Sequence, residues 1–240
     1  MTNKPNIGVF VYDFPHQKSQ SGILNLSLNK YKPIVAFGAP RVNLKFYQSK
    51  IRISPKDLSF AHPKDMCELL NVKYHKVHHN TLECESLIKK YDLDIGIILG
   101  ARILKINIIN SFKTGIINMH PGLLPENRGL DNIKWSILND YPVGVTSHFI
   151  DHRIDMGRMI VQKKINIYKE DTLLDLYLRN QDLEQSLMIE SLDIISKTKT
   201  CQEFKALDKG TYFKSVPPDL EKKMMNSFEK YKIKHINKAK

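Results

Sequence analysis

Short apolar runs recur along this 240-residue chain, and the spacing of apolar positions changes between them. Residues 7–11, 34–37, 73–77, 95–99 and 115–119 are brief and rich in β-branched and aromatic side chains, which predicts strands. Ile95-Gly96-Ile97-Ile98-Leu99 is apolar without alternation, as expected of a strand covered on both faces. Between these runs, residues 23–29, 64–70, 82–91 and 105–111 carry helical spacing or helix formers. Strand–helix alternation predicts an α/β fold: an open, Rossmann-like, mostly parallel sheet with right-handed crossovers. Such sheets take ligands outside the carboxyl ends of their strands.

Farther along, residues 131–139 predict a helix with Trp135 on its buried face. Residues 146–150 and 159–167 predict two more strands, and 172–196 a long helix capped by Asp171 or Thr172. Residues 210–216 alternate and are closed by Pro217 and Pro218, which predicts a hairpin with 203–207. The chain thus divides into a main domain, 1–198, and a small C-terminal hairpin and tail, 199–240. Residues 221–240 hold seven lysines against two glutamates, which predicts a solvated helix or frayed tail.

Composition narrows the function classes. With 42% hydrophobic and 26% charged residues, the chain has the make-up of a globular protein. It contains no apolar run of about eighteen residues, so no membrane insertion is expected. Its first residues lead directly into the first strand, which does not fit a signal peptide. Cys67, Cys84 and Cys201 lie far apart, which suits free thiols in the cytoplasm. The net charge of +12 suits a polyanionic partner, either a nucleic acid, a membrane surface or a phosphorylated small molecule. Lysine is frequent throughout, so charge does not choose among them, and the tail keeps nucleic acid only as a minor option. After the first strand stands Tyr12-Asp-Phe-Pro-His-Gln-Lys-Ser-Gln-Ser-Gly22 rather than a Gly-x-Gly-x-x-Gly turn, which argues against nicotinamide or flavin.

The candidate chemistry lies in two segments. Asn118 and His120 are two apart at the end of an apolar run, so on a strand they point the same way. Ser147-His148-Phe-Ile-Asp151-His-Arg-Ile-Asp155-Met-Gly157 adds a carboxylate. An amide can donate to a developing oxyanion without changing protonation. An imidazole can take a proton near neutral pH, or help the oxyanion as imidazolium, and spacing does not separate these roles. A carboxylate can orient the imidazole or relay its proton. The set suits acyl transfer to an amine. His148, His152 and Asp155 show no pattern supporting zinc, so no metal is expected. His78 and His79 precede Asn80, an expected helix cap.

Asn118-Met-His120-Pro-Gly-Leu-Leu-Pro125, followed by Asp155-Met-Gly157, resembles the folate-dependent formyltransferases, over residues 94–175 or so. The resemblance implies 10-formyltetrahydrofolate as co-substrate and Asn118, His120 and Asp155 as the catalytic three. It further implies that Arg102, Ile103 and Leu104 line a pterin pocket, with His148 and Asp151 beside it. Pro121, Gly122 and Pro125 would fix the loop between folate and acceptor. Arg128 would reach an acceptor phosphate or hold that loop, and Tyr212 is a second acceptor candidate. The text of residues 120–131 resembles the subgroup that formylates nucleotide-linked amino sugars, above all those acting on dTDP-4-amino-4,6-dideoxyglucose in O-antigen synthesis. In that subgroup a comparable C-terminal hairpin often serves a homodimer. Arg41, Lys45, Lys50 and Arg52, with Phe46, Tyr47, Tyr212 and Phe213, are candidates for diphosphate and base. Four alternatives stay open. A GDP- or UDP-sugar would keep the chemistry. Glycinamide ribonucleotide is disfavoured by the first loop. Methionyl-tRNA is disfavoured because about forty residues after the long helix are too few for an OB barrel. The last is a non-catalytic RNA-binding protein on the same fold.

Overall fold

A computed structural model describes residues 4–42, 49, 51–198 and 200–236. Five strands, β1 (Ile7–Tyr12), β2 (Val35–Ala39), β3 (Lys73–Lys76), β4 (Ile95–Ile98) and β5 (Gly115–His120), pair in parallel in the order β3-β2-β1-β4-β5. Helices α1 (Gln17–Leu28), α2 (Pro63–Leu69), α3 (Leu82–Lys90) and α4 (Ile106–Ile109) connect them. The two-residue strand β6 (Arg128–Gly129) and α5 (Asn132–Asn139) follow. Then β7 (Gly144–Phe149) and β8 (Arg158–Lys164) extend the same sheet antiparallel beyond β5. The mostly parallel sheet predicted from the apolar runs is therefore present. Its strand order reverses between β1 and β4, the position at which open α/β sheets take ligands.

Each face of the sheet has its own apolar cluster, because strand side chains alternate. On β1, Ile7, Val9 and Val11 pack with Ile23 and Leu26 of α1, and with Leu187 and Leu192 of the long helix α6 (Leu173–Ile195). Phe10 turns to the other face and packs with Ile88 of α3 and Ile108 of α4. Helix α1 begins earlier than its spacing suggested, because the His16 ring nitrogen accepts the Ser19 N–H at 3.4 Å and serves as its N-cap. Helix α6 begins with a full capping box between Thr172 and Asp175. At α3 the cap is Thr81, not Asn80. Asn80 instead bridges outward, donating to the Ile103 carbonyl at 2.9 Å and accepting from the Lys105 N–H at 2.8 Å.

The C-terminal part departs from the predicted hairpin. Residues 201–203 form a 3-10 turn, and Leu207 N–H bonds to the Gly157 carbonyl. Strand β9 (Tyr212–Phe213) pairs in parallel with β6, far away in sequence. Gly210 is required at this crossing, since a Cβ there would lie 1.5 Å from the Pro125 carbonyl oxygen. Over its described length the lysine-rich stretch is a helix, as one of the two expectations had it, with Lys222, Lys223, Lys230 and Lys234 exposed but one apolar face buried. It is helix α7 (Pro218–His235), docked through Met224, Phe228 and Tyr231 onto Ile133 and Ile137 of α5. Spacings of four and three put those three side chains on one helical face.

Trp135 corrects another expectation. It is half-exposed, stacks on Phe213 at 4.7 Å and donates to the Lys214 carbonyl at 2.7 Å. Among the buried residues of α5 is instead Lys134, 2% exposed, whose ammonium meets Glu221 of α7 at 2.7 Å. Breaking a buried pair costs about 3–5 kcal/mol, and here Lys134 would keep only the more distant, partly exposed Asp131, at 3.7 Å. We expect Glu221→Ala to lower stability by that order in urea unfolding. The double variant Lys134→Met with Glu221→Leu should recover most of the loss, whereas additive losses would mean that the pair does not couple α5 to α7.

Candidate active site

Asn118 and His120 leave β5 on the same side of the sheet and enter one cavity of about 620 Å³. Asp155 reaches it from the β7–β8 connection. It sits there with φ +51°, a left-handed conformation that a short polar side chain tolerates. One Asp155 oxygen accepts the Gly129 N–H at 2.9 Å, and the other lies 3.6 Å from His120 Nδ1. That is charge-pair range, just beyond a direct hydrogen bond.

The other His120 nitrogen is committed. Nε2 lies 2.8 Å from the backbone carbonyl of Asn127, to which it can donate, and 3.1 Å from the Asn132 amide nitrogen. Nδ1 is the nitrogen beside Asp155. Asn127 itself is held by its own amide, which donates to the Asn132 carbonyl at 2.7 Å and to Ser136 Oγ at 3.0 Å. The Asn132 amide donates back to the Asn127 carbonyl at 2.9 Å. All four groups are buried, so misplacing one leaves unsatisfied polar atoms. Motif reading missed Asn127 and Asn132. The only sign of them is an asparagine at each end of the segment between loop and helix.

The turn after His120 is fastened to the antiparallel strands. Thr146 Oγ1 donates to the Gly122 carbonyl at 2.8 Å and accepts the Leu124 N–H at 3.0 Å. Gln162 donates to the Leu124 carbonyl at 2.8 Å. Asp131 accepts the Val216 N–H at 2.9 Å, which ties the foot of α5 to the C-terminal segment.

Most predicted residues converge. Arg102, Ile103, Leu104, Asp151 and Tyr212 line the same cavity as the three polar groups. Ile103 is 67% exposed, and Leu130 and Ile154 also show much of their surface at this mouth. Asp151 holds Arg153 through both Nε and Nη2, at 3.0 and 2.5 Å. Two predicted residues stand elsewhere. Arg128 is buried and donates to the carbonyls of Ile154 and Gly210, so it holds the loop rather than facing a phosphate. Its guanidinium also lies 5.9 Å from the Tyr212 ring. His148 is wholly buried and does not line the cavity; it pairs with Asn118 across β5–β7. Its ring stands edge-on to that of His120 at 6.4 Å. Burial, then the nearby His120, pushes the His148 pKa down to about 4, so it is neutral at pH 7. Lys45, Phe46, Tyr47 and Lys50 lie outside the described residues. Arg52 and Phe213 do not line this cavity. Among the described residues no group of three His, Cys, Asp or Glu is placed to hold a metal, and no helix is long and apolar enough to cross a membrane.

Comparison with known proteins agrees with this fold. Residues 46–192 match the sequence model of the formyl transferase family. A methionyl-tRNA formyltransferase of Chlorobium chlorochromatii (strain CaD3) is 30% identical over 148 residues, which are 60% of this chain and 47% of that one. The chain spans about half the length of the curated relatives it matches. The structure of a phosphoribosylglycinamide formyltransferase from Anaplasma phagocytophilum superposes with a TM-score of 0.64 at 15% identity, covering 89% of this chain and 100% of that one. PseJ from Anoxybacillus kamchatkensis, a formyltransferase solved with UDP-4,6-dideoxy-4-formamido-L-AltNAc and tetrahydrofolate, superposes with a TM-score of 0.57 at 22% identity, covering 98% and 100%. The matched segment contains Asn118, His120, Asp155 and the hydrogen bonds that fix them, and the chain belongs to the formyl transferase family.

Proposed function

We propose that this protein moves a formyl group from 10-formyltetrahydrofolate to the amine of a nucleotide-linked amino sugar. The observation that carries the chemistry is the committed imidazole: Nε2 is fixed on the Asn127 carbonyl, and Nδ1 is beside Asp155 in the Asn118 cavity. The cavity fits the folate, since exposed Ile103, Leu130 and Ile154 offer apolar surface for a flat heterocycle and polar groups stand at one end. When bound, the folate supplies an activated formyl carbon.

The residues then have distinct tasks. The Asn118 amide donates to the carbonyl oxygen as it gains charge. His120 Nδ1 receives the proton that the attacking nitrogen loses as its bond to carbon forms. Asp155 balances the imidazolium, and the proton leaves with the departing folate nitrogen as the old carbon–nitrogen bond breaks. Neutral His148 adds no positive charge that would oppose protonation of His120.

For the acceptor we infer a dTDP-linked 4-amino-4,6-dideoxy sugar, on the strength of residues 120–131. Full-length overlap with PseJ favours a UDP-sugar as the second reading. The identity with methionyl-tRNA formyltransferases makes tRNA the third. We also propose a cytoplasmic homodimer.

Loss of one oxyanion donor costs about 100-fold or more in turnover. Asn118→Ala should therefore lower kcat to that extent, with folate affinity retained; near-normal turnover would remove the amide from the mechanism. Tetrahydrofolate release measured with dTDP-, UDP- and GDP-amino sugars, glycinamide ribonucleotide and methionyl-tRNA should favour the dTDP-sugar, and a preference for tRNA would defeat the sugar reading. His148 makes stability pH-dependent. Its folded pKa is depressed from 6.5 to about 4, so its contribution is complete above pH 6.5 and is lost as pH falls toward 4. Denaturant midpoints of the protein should fall across that window, and less so in His148→Leu; equal slopes would mean that His148 is not the group responsible.

A further inference from the structure

The peptide group between Met119 and His120 has a carbonyl for which the sheet supplies no strand partner. Carbonyls along a strand alternate in direction. Ile116 sends its carbonyl to the β7 side, where it accepts the Ile150 N–H at 2.9 Å, so the Met119 carbonyl, three residues on, points to the β4 side. There the β4–β5 ladder stops at the pair of Ile97 and Ile117. The Lys18 ammonium of α1 stands in for the missing strand and donates to the Met119 carbonyl at 3.1 Å.

Lys18 is itself held from the far side. The buried carboxylate of Glu184, on α6, meets its ammonium at 2.5 Å. Contacts on either side of that pair tie the two helices together: Gln17 donates to Gln181 at 3.1 Å, and Asn25 donates to the Gln185 carbonyl at 2.9 Å. Met119 turns its side chain into the apolar cluster that α1 and α6 cover, so by alternation Asn118 and His120 face away from both helices. The ion pair therefore meets the chain at the backbone between the two polar residues, and from the side opposite their cavity. A charged donor on a carbonyl makes a stronger bond than a neutral one, and its counter-ion keeps it there.

We propose that Lys18 is a positioning residue for the reaction, with Glu184 as its counter-ion. It fixes the peptide between Met119 and His120, and through that peptide the place of Asn118 and His120 in their cavity. The fixing stands on this geometry alone, whereas its effect on turnover rests on the formyl-transfer reading. Lys18 and Glu184 also line a cavity of about 830 Å³ beside Pro121, so the test separates positioning from a direct bond between the ammonium and the acceptor.

Met119-His120 is the one Met-His step in the sequence. Full-length protein labelled at methionine carbonyls and histidine nitrogens therefore gives a single carbonyl-to-amide NMR peak for that peptide. Lys18→Met should shift this peak and lower kcat about tenfold, the order set by losing a charge-assisted bond. KM for the best acceptor among the amino sugars, glycinamide ribonucleotide and methionyl-tRNA should not change, nor should tetrahydrofolate affinity. Lys18→Arg keeps a charged donor and should restore most of both readings. The double variant Lys18→Met with Glu184→Leu removes both charges, so its urea midpoint should return toward that of the parent while peak and kcat stay displaced. Recovery of kcat together with stability in the double variant would make the pair a structural brace and overturn the proposal. So would an unmoved peak in Lys18→Met, or a raised KM at unchanged kcat, which would make the ammonium an acceptor ligand. A displaced peak in a protein that formylates no amine would retire the formyl-transfer reading and leave the fixing of the peptide standing. Normal formylation by Lys18→Met would do the reverse.

Discussion

The hydrogen bond from His120 Nε2 to the Asn127 carbonyl sets the conditions for everything around it. A carbonyl cannot donate, so this contact turns Nε2 toward the backbone and leaves Nδ1 toward Asp155. That choice also fixes ring orientation, because the partner is backbone and not a mobile side chain. Every neighbouring constraint preserves this bond. The Asn127 and Asn132 amides close on each other beneath it, Thr146 holds the turn that leads from β5, and Gly129 N–H fixes the carboxylate on the opposite side of the ring. The result is an imidazole held in one orientation by backbone and buried amides rather than by mobile side chains.

Parts of this arrangement were legible in the chain and parts were not, for physical reasons. The parallel strands announce themselves because strands buried on both faces must be apolar throughout, as in Ile95-Gly96-Ile97-Ile98. Asn118 and His120 were legible as a pair because a strand has period two. The β6–β9 ladder was not, since two-residue strands carry no period, and their pairing joins segments more than eighty residues apart. The C-terminal helix hid its apolar face behind lysines, although Met224, Phe228 and Tyr231 keep helical spacing. Trp135 was expected on the buried face for a different reason. Beside a lysine, tryptophan is ordinarily the more buried of the two, and the Glu221 partner of Lys134 on another helix reverses the order. Arg128 left two roles open on the page of letters; carbonyls of two distant segments decide for the structural one.

The two ends of the sheet divide the labour. Its parallel half supplies Asn118 and His120 at the end of β5, and its antiparallel half supplies the strands that hold the turn after them. β7 carries Thr146 and His148 beside the chemistry, and the β7–β8 connection delivers Asp155 and the Asp151–Arg153 pair. A turn held from a neighbouring strand moves less than one held only by its own ends, which suits a group that must keep its place within a fraction of an ångström.

The late position of β9 has a consequence for biosynthesis. Gly129 belongs to β6, and β6 finds its partner only in Tyr212 and Phe213. A nascent chain that has already emerged through α6 has its sheet and both apolar faces, yet the segment carrying Asn127 and Gly129 still lacks its ladder partner and the helix beneath it. In the order of synthesis every strand of the seven-stranded sheet therefore precedes the β6–β9 ladder, because Tyr212 and Phe213 follow them all.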